Sequence, residues 1–162
     1  MTLIRFDECI NPRIVGALRA IGLPDGVVLE TPQELGQRGE PDVNWIEAFA
    51  ARGGRLFVSG DGNLRRVQLE RAALEAAGLI AVFPGSMKWY GNLRRWGQAA
   101  FITAWFPAIV RLAEEGEAGT HYRLPQSFSG EFDSVEVLKS LAQIELERDA
   151  KIAARLAGRE DN

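Results

Sequence analysis

The stretch that decides the fold is Leu3-Ile4-Arg5-Phe6-Asp7-Glu8, a short apolar run that ends on two adjacent carboxylates. Asn11-Pro12 and a helical pattern follow it, which is typical of a buried parallel strand that leads into a helix. The strand therefore delivers Asp7 to the carboxyl edge of a sheet. In open α/β sheets, ligands bind at that edge.

A second run of this kind, Arg55 to Gly60, ends on Asp61 and also leads into a helical pattern. If both strands are parallel and close, Asp7 and Asp61 converge on one cleft. Two close carboxylates repel each other unless they share a proton or a cation. We interpret the pair as ligands of a shared divalent metal, with Glu8 as a possible helper.

Asp42 opens a further helix after Pro41, and the sequence leaves two interpretations of it open. It is either a helix cap that complements the helix dipole or a third carboxylate in the same cleft. Carboxylate oxygens favour Mg²⁺ or Mn²⁺, which usually sit between one or two protein carboxylates and a substrate phosphate. The alternative for all three acids is that they cap helices after strands, as in any α/β fold.

Further apolar runs at 27–29, 79–83 and 121–124 alternate with helical patterns. This alternation predicts an α/β fold with a doubly wound parallel sheet, in three layers. Pro107 lies inside the longest helical pattern, 98–115, and is expected to kink or break it. We predict a first domain over 1–125, a polar linker over 126–132 and an extra C-terminal helical extension over 133–162, with the helix running from 133 to 157.

Composition narrows the functional classes. The chain has 162 residues and a formal net charge of -3, so contact with nucleic acid requires a local basic patch. The single cysteine, Cys9, excludes an internal disulfide and is expected to pack as a small hydrophobe. No apolar run reaches the roughly 18 residues of a membrane span, and no signal peptide is recognisable. We therefore expect a soluble cytoplasmic protein.

The chain resembles the PIN-like domains over roughly residues 3–125, in three segments: Arg5-Phe6-Asp7-Glu8 with Asn11-Pro12, Pro41-Asp42 with Trp45-Ile46, and Val58-Ser59-Gly60-Asp61. More narrowly, the chain resembles VapC-type toxin ribonucleases of toxin-antitoxin systems. This resemblance implies a PIN-like three-layer fold and a metal-dependent RNA endonuclease that leaves 5′-phosphate and 3′-hydroxyl ends. It maps the metal-binding and catalytic acids onto Asp7, Asp42 and Asp61. Many relatives carry another acid where this chain has Asn63, which offers a carbonyl oxygen but no charge.

Basic and aromatic side chains supply candidate RNA contacts. Arginine can clamp phosphates, and exposed aromatic rings can stack on unpaired bases. We expect Trp96 in the core and a structural role for His121, because no second histidine accompanies it. The candidate RNA-binding residues are Arg65, Arg66, Lys88, Arg94 and Arg95.

Three functional hypotheses follow. The first is an Mg²⁺- or Mn²⁺-dependent endoribonuclease, the toxin of a toxin-antitoxin pair, with RNA as substrate and a small antitoxin protein as partner. The second is a catalytically weakened PIN-like domain that serves as a protein-binding module, suggested by Asn63 and by the C-terminal helix, which either closes a homodimer or contacts another protein. The third is a phosphoacceptor receiver domain, disfavoured because Lys88 follows the wrong strand.

Overall fold

The computed structural model describes residues 1–37, 42–60 and 68–160. Within them a single sheet contains β1 (Thr2–Phe6), β2 (Val27–Glu30), β3 (Gly54–Val58), β4 (Ile80–Pro84), β5 (His121–Leu124) and β6 (Glu136–Leu138). The helices are α1 (Pro12–Ile21), α2 (Asp42–Ala51), α3 (Gln68–Ala76), α4 (Met87–Asn92), α5 (Arg94–Glu115) and α6 (Leu141–Glu160).

The strand order is β2-β1-β3-β4-β5-β6. The pairs from β2 to β5 are parallel, and β6 is antiparallel to β5. The chain first steps from β1 outward to β2 and then returns to place β3 on the other side of β1. The order thus reverses between β1 and β3, which is the position where doubly wound sheets bind ligands. The predicted α/β fold is confirmed.

Two apolar clusters cover the two faces of the sheet, and alternation along the strands explains them. Ile4 and Phe6 of β1 belong to the cluster beneath α1 and α5, whereas Leu3 belongs to the cluster beneath α2 and α3. Strands that are buried on both faces read as near-continuous apolar runs. This is why β1, β3 and β4 were recognisable from sequence.

The C-terminal region differs from the prediction of one helix from 133 to 157. A short 3₁₀ helix at Phe132–Ser134 is followed by β6, and α6 begins only at Leu141. Val137 and Leu138 fit the period of a helix as well as that of a strand. As a strand they pair with β5, which would otherwise be an edge strand with unpaired backbone groups. The start of α6 had a recognisable signal. Ser140 and Gln143 exchange hydrogen bonds in a capping box, at 2.8 and 3.2 Å.

Residues 126–132, predicted as a linker, contact the rest of the fold. The indole N–H of Trp105 donates to the carbonyl of Ser127 over 2.7 Å. Phe128 packs against the rings of Trp89 and Phe101, both at 6.1 Å between centroids. The domain boundaries themselves stay a prediction.

Pro107 does not divide α5, which runs unbroken from Arg94 to Glu115. Pro107 and Thr103 are both exposed, so the carbonyl that loses its N–H partner to proline lies on the hydrated side of the helix. The opposite side carries Phe101, Ile102, Trp105 and Ile109, which are fully buried. Among the described helices, none is both long enough and apolar enough to span a bilayer.

Candidate active site

The carboxyl ends of β1 and β3 lie side by side at the reversal of strand order. The parallel register pairs Arg5 with Phe57 and Phe6 with Val58, so Asp7 and Ser59 are the next residues along each strand. The backbone N–H of Asp7 donates to the carbonyl of Val58 over 2.9 Å and prolongs the ladder. The backbone thus fixes Asp7 against the end of β3.

The carboxylate of Asp7 is held by donors from both sides. Its Oδ1 accepts a hydrogen bond from the backbone N–H of Glu8 at 2.7 Å. Its Oδ2 accepts from the hydroxyl of Ser59 at 2.8 Å and from the thiol of Cys9 at 2.7 Å. Donors to the charged form stabilise a carboxylate anion and fix its orientation.

Cys9 therefore does more than pack as a small hydrophobe, which was the expectation. The residue as a whole is exposed, but its sulfur is enclosed beside Asp7, Ser59 and Gly60. This burial, together with the neighbouring Asp7 carboxylate, raises the pKa of the Cys9 thiol well above its ordinary value. At neutral pH the group is a neutral S–H donor to Asp7, which makes it a poor nucleophile.

Gly60 closes the floor of the site. A Cβ atom added there would lie 3.0 Å from Ile10 Cδ1, 3.2 Å from Cys9 Sγ and 3.3 Å from Tyr90 Cε1. The missing side chain therefore lets the loop after β1 and helix α4 meet at the end of β3. Tyr90 is buried there, and its hydroxyl has no hydrogen-bond partner among the described residues.

A buried ion network lies two residues before Asp7, on the same face of β1. Arg5 donates to Glu30 at 3.2 Å and to Gln37 at 2.9 Å, and its guanidinium lies 4.5 Å from the Trp45 ring centroid. Glu30 also accepts two hydrogen bonds from Arg52, at 2.8 and 2.9 Å. The network joins β1, the loop after β2 and helix α2.

Of the two other predicted acids, only Asp42 lies within the described residues. Asp42 is the first residue of α2, and α2 starts from the carboxyl edge because the chain leaves β2 there. Asp61, Asn63, Arg65 and Arg66 lie outside the described residues. In the part of the chain that the structure describes, no three acidic, histidine or cysteine residues are grouped so as to hold a metal. The metal-binding set thus stays a prediction.

Of the candidate RNA contacts, Lys88, Arg94 and Arg95 are exposed around the corner between α4 and α5.

The expectation that Trp96 is a core residue is wrong, because its side chain is 86% exposed. His121 is buried in β5 and packs edge-on against Phe83 at 6.0 Å, an environment that fits a structural role. β5 is not an edge strand, because β6 pairs with it.

Sequence reasoning missed Ser59, Gly60 and the thiol contact. One signal for Ser59 was available, namely a polar residue two positions after the buried Phe57 and therefore on the same face of the strand. Gly60 and Cys9 depend on how the loop after β1 folds back, and no local pattern specifies that.

Comparison with known proteins gives one finding. A family model described as a PIN-like domain matches residues 2–86, slightly more than half of the chain. The matched range contains β1 to β4 and both sides of the site at Asp7 and Ser59. No curated protein and no solved structure gives a significant match.

Proposed function

Because the chain belongs to the PIN-like domain family, we propose that it is a metal-dependent endoribonuclease with its site at the carboxyl ends of β1 and β3. The observation that carries the proposal is the Asp7 carboxylate, which lies where the strand order reverses. There it is oriented by the Ser59 hydroxyl and the Glu8 backbone N–H. A carboxylate that is held in a fixed orientation at a ligand-binding edge is a candidate functional acid.

The donor chemistry at this edge fits Mg²⁺ or Mn²⁺. Carboxylate and hydroxyl oxygens are the ligands these ions prefer, and the raised pKa of Cys9 keeps its softer sulfur protonated. We propose Asp7, Asp42, Asp61 and Asn63 as the residues that would hold the metal. When bound, the metal would lower the pKa of a water and neutralise phosphate charge.

The residues of the chain have separate parts in this proposal. Asp7 presents its oxygens in a fixed direction, and Ser59 and Cys9 keep it there. Arginine and lysine side chains hold the phosphates of the RNA. The candidates for that contact are Arg65, Arg66, Lys88, Arg94 and Arg95.

The test incubates the purified chain with total RNA and Mn²⁺ and sequences the new 5′-phosphate ends, beside matched Asp7→Asn and Asp61→Asn variants. We expect metal-dependent ends from the wild type and none from either variant, with all three equally folded by circular dichroism. Cleavage that persists in Asp7→Asn contradicts the assignment.

We also propose that the protein is the toxin of a toxin-antitoxin pair, with a small antitoxin protein as partner. Helix α6 supports a protein partner, since Leu146, Ile152 and Leu156 are exposed on it. A protein partner that packs along this helix would remove these side chains from water. Induced expression should arrest growth, whereas the Asp7→Asn variant should not, and normal growth with active wild type would contradict the toxin role. Light scattering of the pure chain tests whether α6 instead closes a homodimer.

The second candidate is a PIN-like domain that has lost cleavage and binds a protein. Asn63 in place of an acid and the exposed apolar residues of α6 favour it. This candidate predicts no metal-dependent cleavage from folded protein, and a partner whose binding is lost on Leu146→Glu. Cleavage that requires Asp7 excludes it.

A further inference from the structure

The corner between α4 and α5 presents one aromatic ring to solvent on a firmly packed base. Tyr90 of α4 is buried, and Trp89 packs edge-on against Phe101 with 5.1 Å between centroids. Trp96, in the first turn of α5, forms no ring pair with another aromatic side chain of the described residues and is 86% exposed. Because Tyr90 packs in the core, Trp89 packs against it and Trp96 does neither, the Trp96 ring is accessible to a ligand.

The backbone at this corner is strained. Arg94 has a φ of +53°, the left-handed conformation that a non-glycine residue rarely adopts. A Cβ atom at Gly97 would lie 2.9 Å from Leu93 Cβ, so the tight turn depends on glycine there. Strained residues persist where the surrounding structure imposes them, and they cluster at ligand-binding sites.

The corner also concentrates positive charge. From residue 76 to residue 113 the sequence contains no aspartate or glutamate, in a chain whose net charge is -3. Several other arginines are neutralised by carboxylates, among them Arg19, Arg52, Arg111 and Arg123. In contrast, Lys88, Arg94 and Arg95 form no ion pair or side-chain hydrogen bond within the described part of the chain.

This corner adjoins the candidate active site. The ring of Tyr90 and the sulfur of Cys9 both approach the position of a Gly60 Cβ, at 3.3 and 3.2 Å. Helix α4 therefore packs directly on the end of β3. Helix α5 follows α4 after a single residue, and Tyr90 also packs edge-on against Phe101 of α5 with 5.9 Å between centroids, so α4 connects the end of β3 to α5.

We propose that Trp96, with Arg94, Arg95 and Lys88, forms a binding site for single-stranded RNA, the indole stacking on an unpaired base and the cations contacting its phosphates. The inference rests on the proposed nuclease function and deepens it, since it assigns an exposed ring and three cations at the α4–α5 corner to substrate binding. Unneutralised cations around an exposed ring match a polyanion that carries accessible base faces. A duplex hides those faces.

Tryptophan fluorescence gives a direct readout of this contact. Trp45 and Trp105 are 4% and 0% exposed and Trp89 is half-buried, so solvent-accessible emission comes chiefly from Trp96. The full chain is titrated with a short RNA of mixed sequence in EDTA, which prevents metal-dependent cleavage, and then with the same RNA as a duplex. We expect the single strand to quench the emission and to bind more tightly than the duplex.

The matched variants are Trp96→Ala and Trp96→Phe, both at an exposed position where folding is not at stake. Trp96→Ala loses one stacked base, so its affinity for the single strand should fall about 5- to 150-fold. Trp96→Phe should recover part of this affinity. Fluorescence anisotropy of a labelled RNA measures both affinities. Equal affinity of Trp96→Ala and wild type overturns the inference, as does equal affinity for single strand and duplex.

Binding in EDTA and cleavage in Mn²⁺ are separate readouts, so the two proposals fail in different ways. If the wild type cuts RNA and Trp96→Ala binds it normally, only the RNA-binding inference fails. If RNA binds through Trp96 but no cut appears with Mn²⁺, only the nuclease proposal fails.

Discussion

Ser59 donates a hydrogen bond to Oδ2 of Asp7 over 2.8 Å, and this bond links the ends of β3 and β1 at the reversal of strand order. The two residues are neighbours because the parallel register continues for one residue beyond Phe6 and Val58. An acid at the edge of a sheet is common, but here the adjacent strand supplies the hydroxyl that orients it. This relationship leads to the first prediction.

Replacing Ser59 by alanine should lower RNA cleavage about 10- to 100-fold, as is typical for the loss of a group that orients a metal ligand. Stability should fall by only about 1 kcal/mol, the net value of one hydrogen bond. Cleavage rates and thermal melts measure the two effects. Ser134→Ala is the control, because its hydroxyl bonds to Glu131 on a remote surface. Wild-type rates in Ser59→Ala would show that the bond has no functional value.

Gly60→Ala should destabilise the protein although it adds a single methyl group. The new Cβ would lie 3.0 Å from Ile10 Cδ1 and 3.3 Å from Tyr90 Cε1, so these packed side chains must move by a few tenths of an ångström. Overpacking of this kind costs about 1–3 kcal/mol. Urea denaturation measures the cost, with Gly16→Ala as the control, since nothing lies within 4 Å of a Cβ there. Equal stability of the two variants would contradict the packing argument.

Tyr90→Phe should leave stability unchanged or raise it by about 1 kcal/mol, because the buried hydroxyl has no partner among the described residues. Burial also raises the pKa of Tyr90 above its ordinary value. The unfolded chain therefore releases the proton at a lower pH than the native state does.

The sign of the pH effect follows from this difference. Native Tyr90 keeps its proton above about pH 10 while the unfolded chain loses it, so the free energy of unfolding falls as pH rises through that range. Tyr90→Phe removes this contribution, and its stability should decline less steeply at alkaline pH. Urea denaturation between about pH 8 and 11 compares the slopes. A steeper decline in the variant would disprove the assignment.

Glu30→Gln should be the most destabilising of these substitutions, by about 3–5 kcal/mol, because it leaves the buried guanidinium of Arg5 without its counter-charge. Glu115→Gln is the matched control. That carboxylate pairs with Arg111 on the surface, where such a pair contributes about 0–1 kcal/mol. Thermal and urea denaturation of both variants provide the comparison. Similar losses in the two would mean that solvent reaches Arg5 and screens its charge.

The sequence patterns predicted the layered sheet because continuous apolar runs such as Leu79 to Phe83 are typical of strands that are buried on both faces. They also placed Asp7 at its edge. They failed where a long-range contact decides the outcome. Val137 and Leu138 fit a helix and a strand equally well, and the free edge of β5 selects the strand. Trp96 has the same side chain as Trp105, but it follows the left-handed turn at Arg94 and lies outside the core.

The late position of α5 and β6 in the chain has a consequence for biosynthesis. The strands that carry the candidate site lie in the first 58 residues, yet much of the apolar cover of one face of the sheet comes from residues 101–113 of α5, beside that from α1. The last strand of the sheet ends at Leu138. Because a chain leaves the ribosome from its N-terminus, the edge that carries the candidate site is synthesised early but gains its full apolar cover only once most of the chain has emerged. A nascent chain of the family-matched length, 2–86, has the cover from α1 but lacks that from α5.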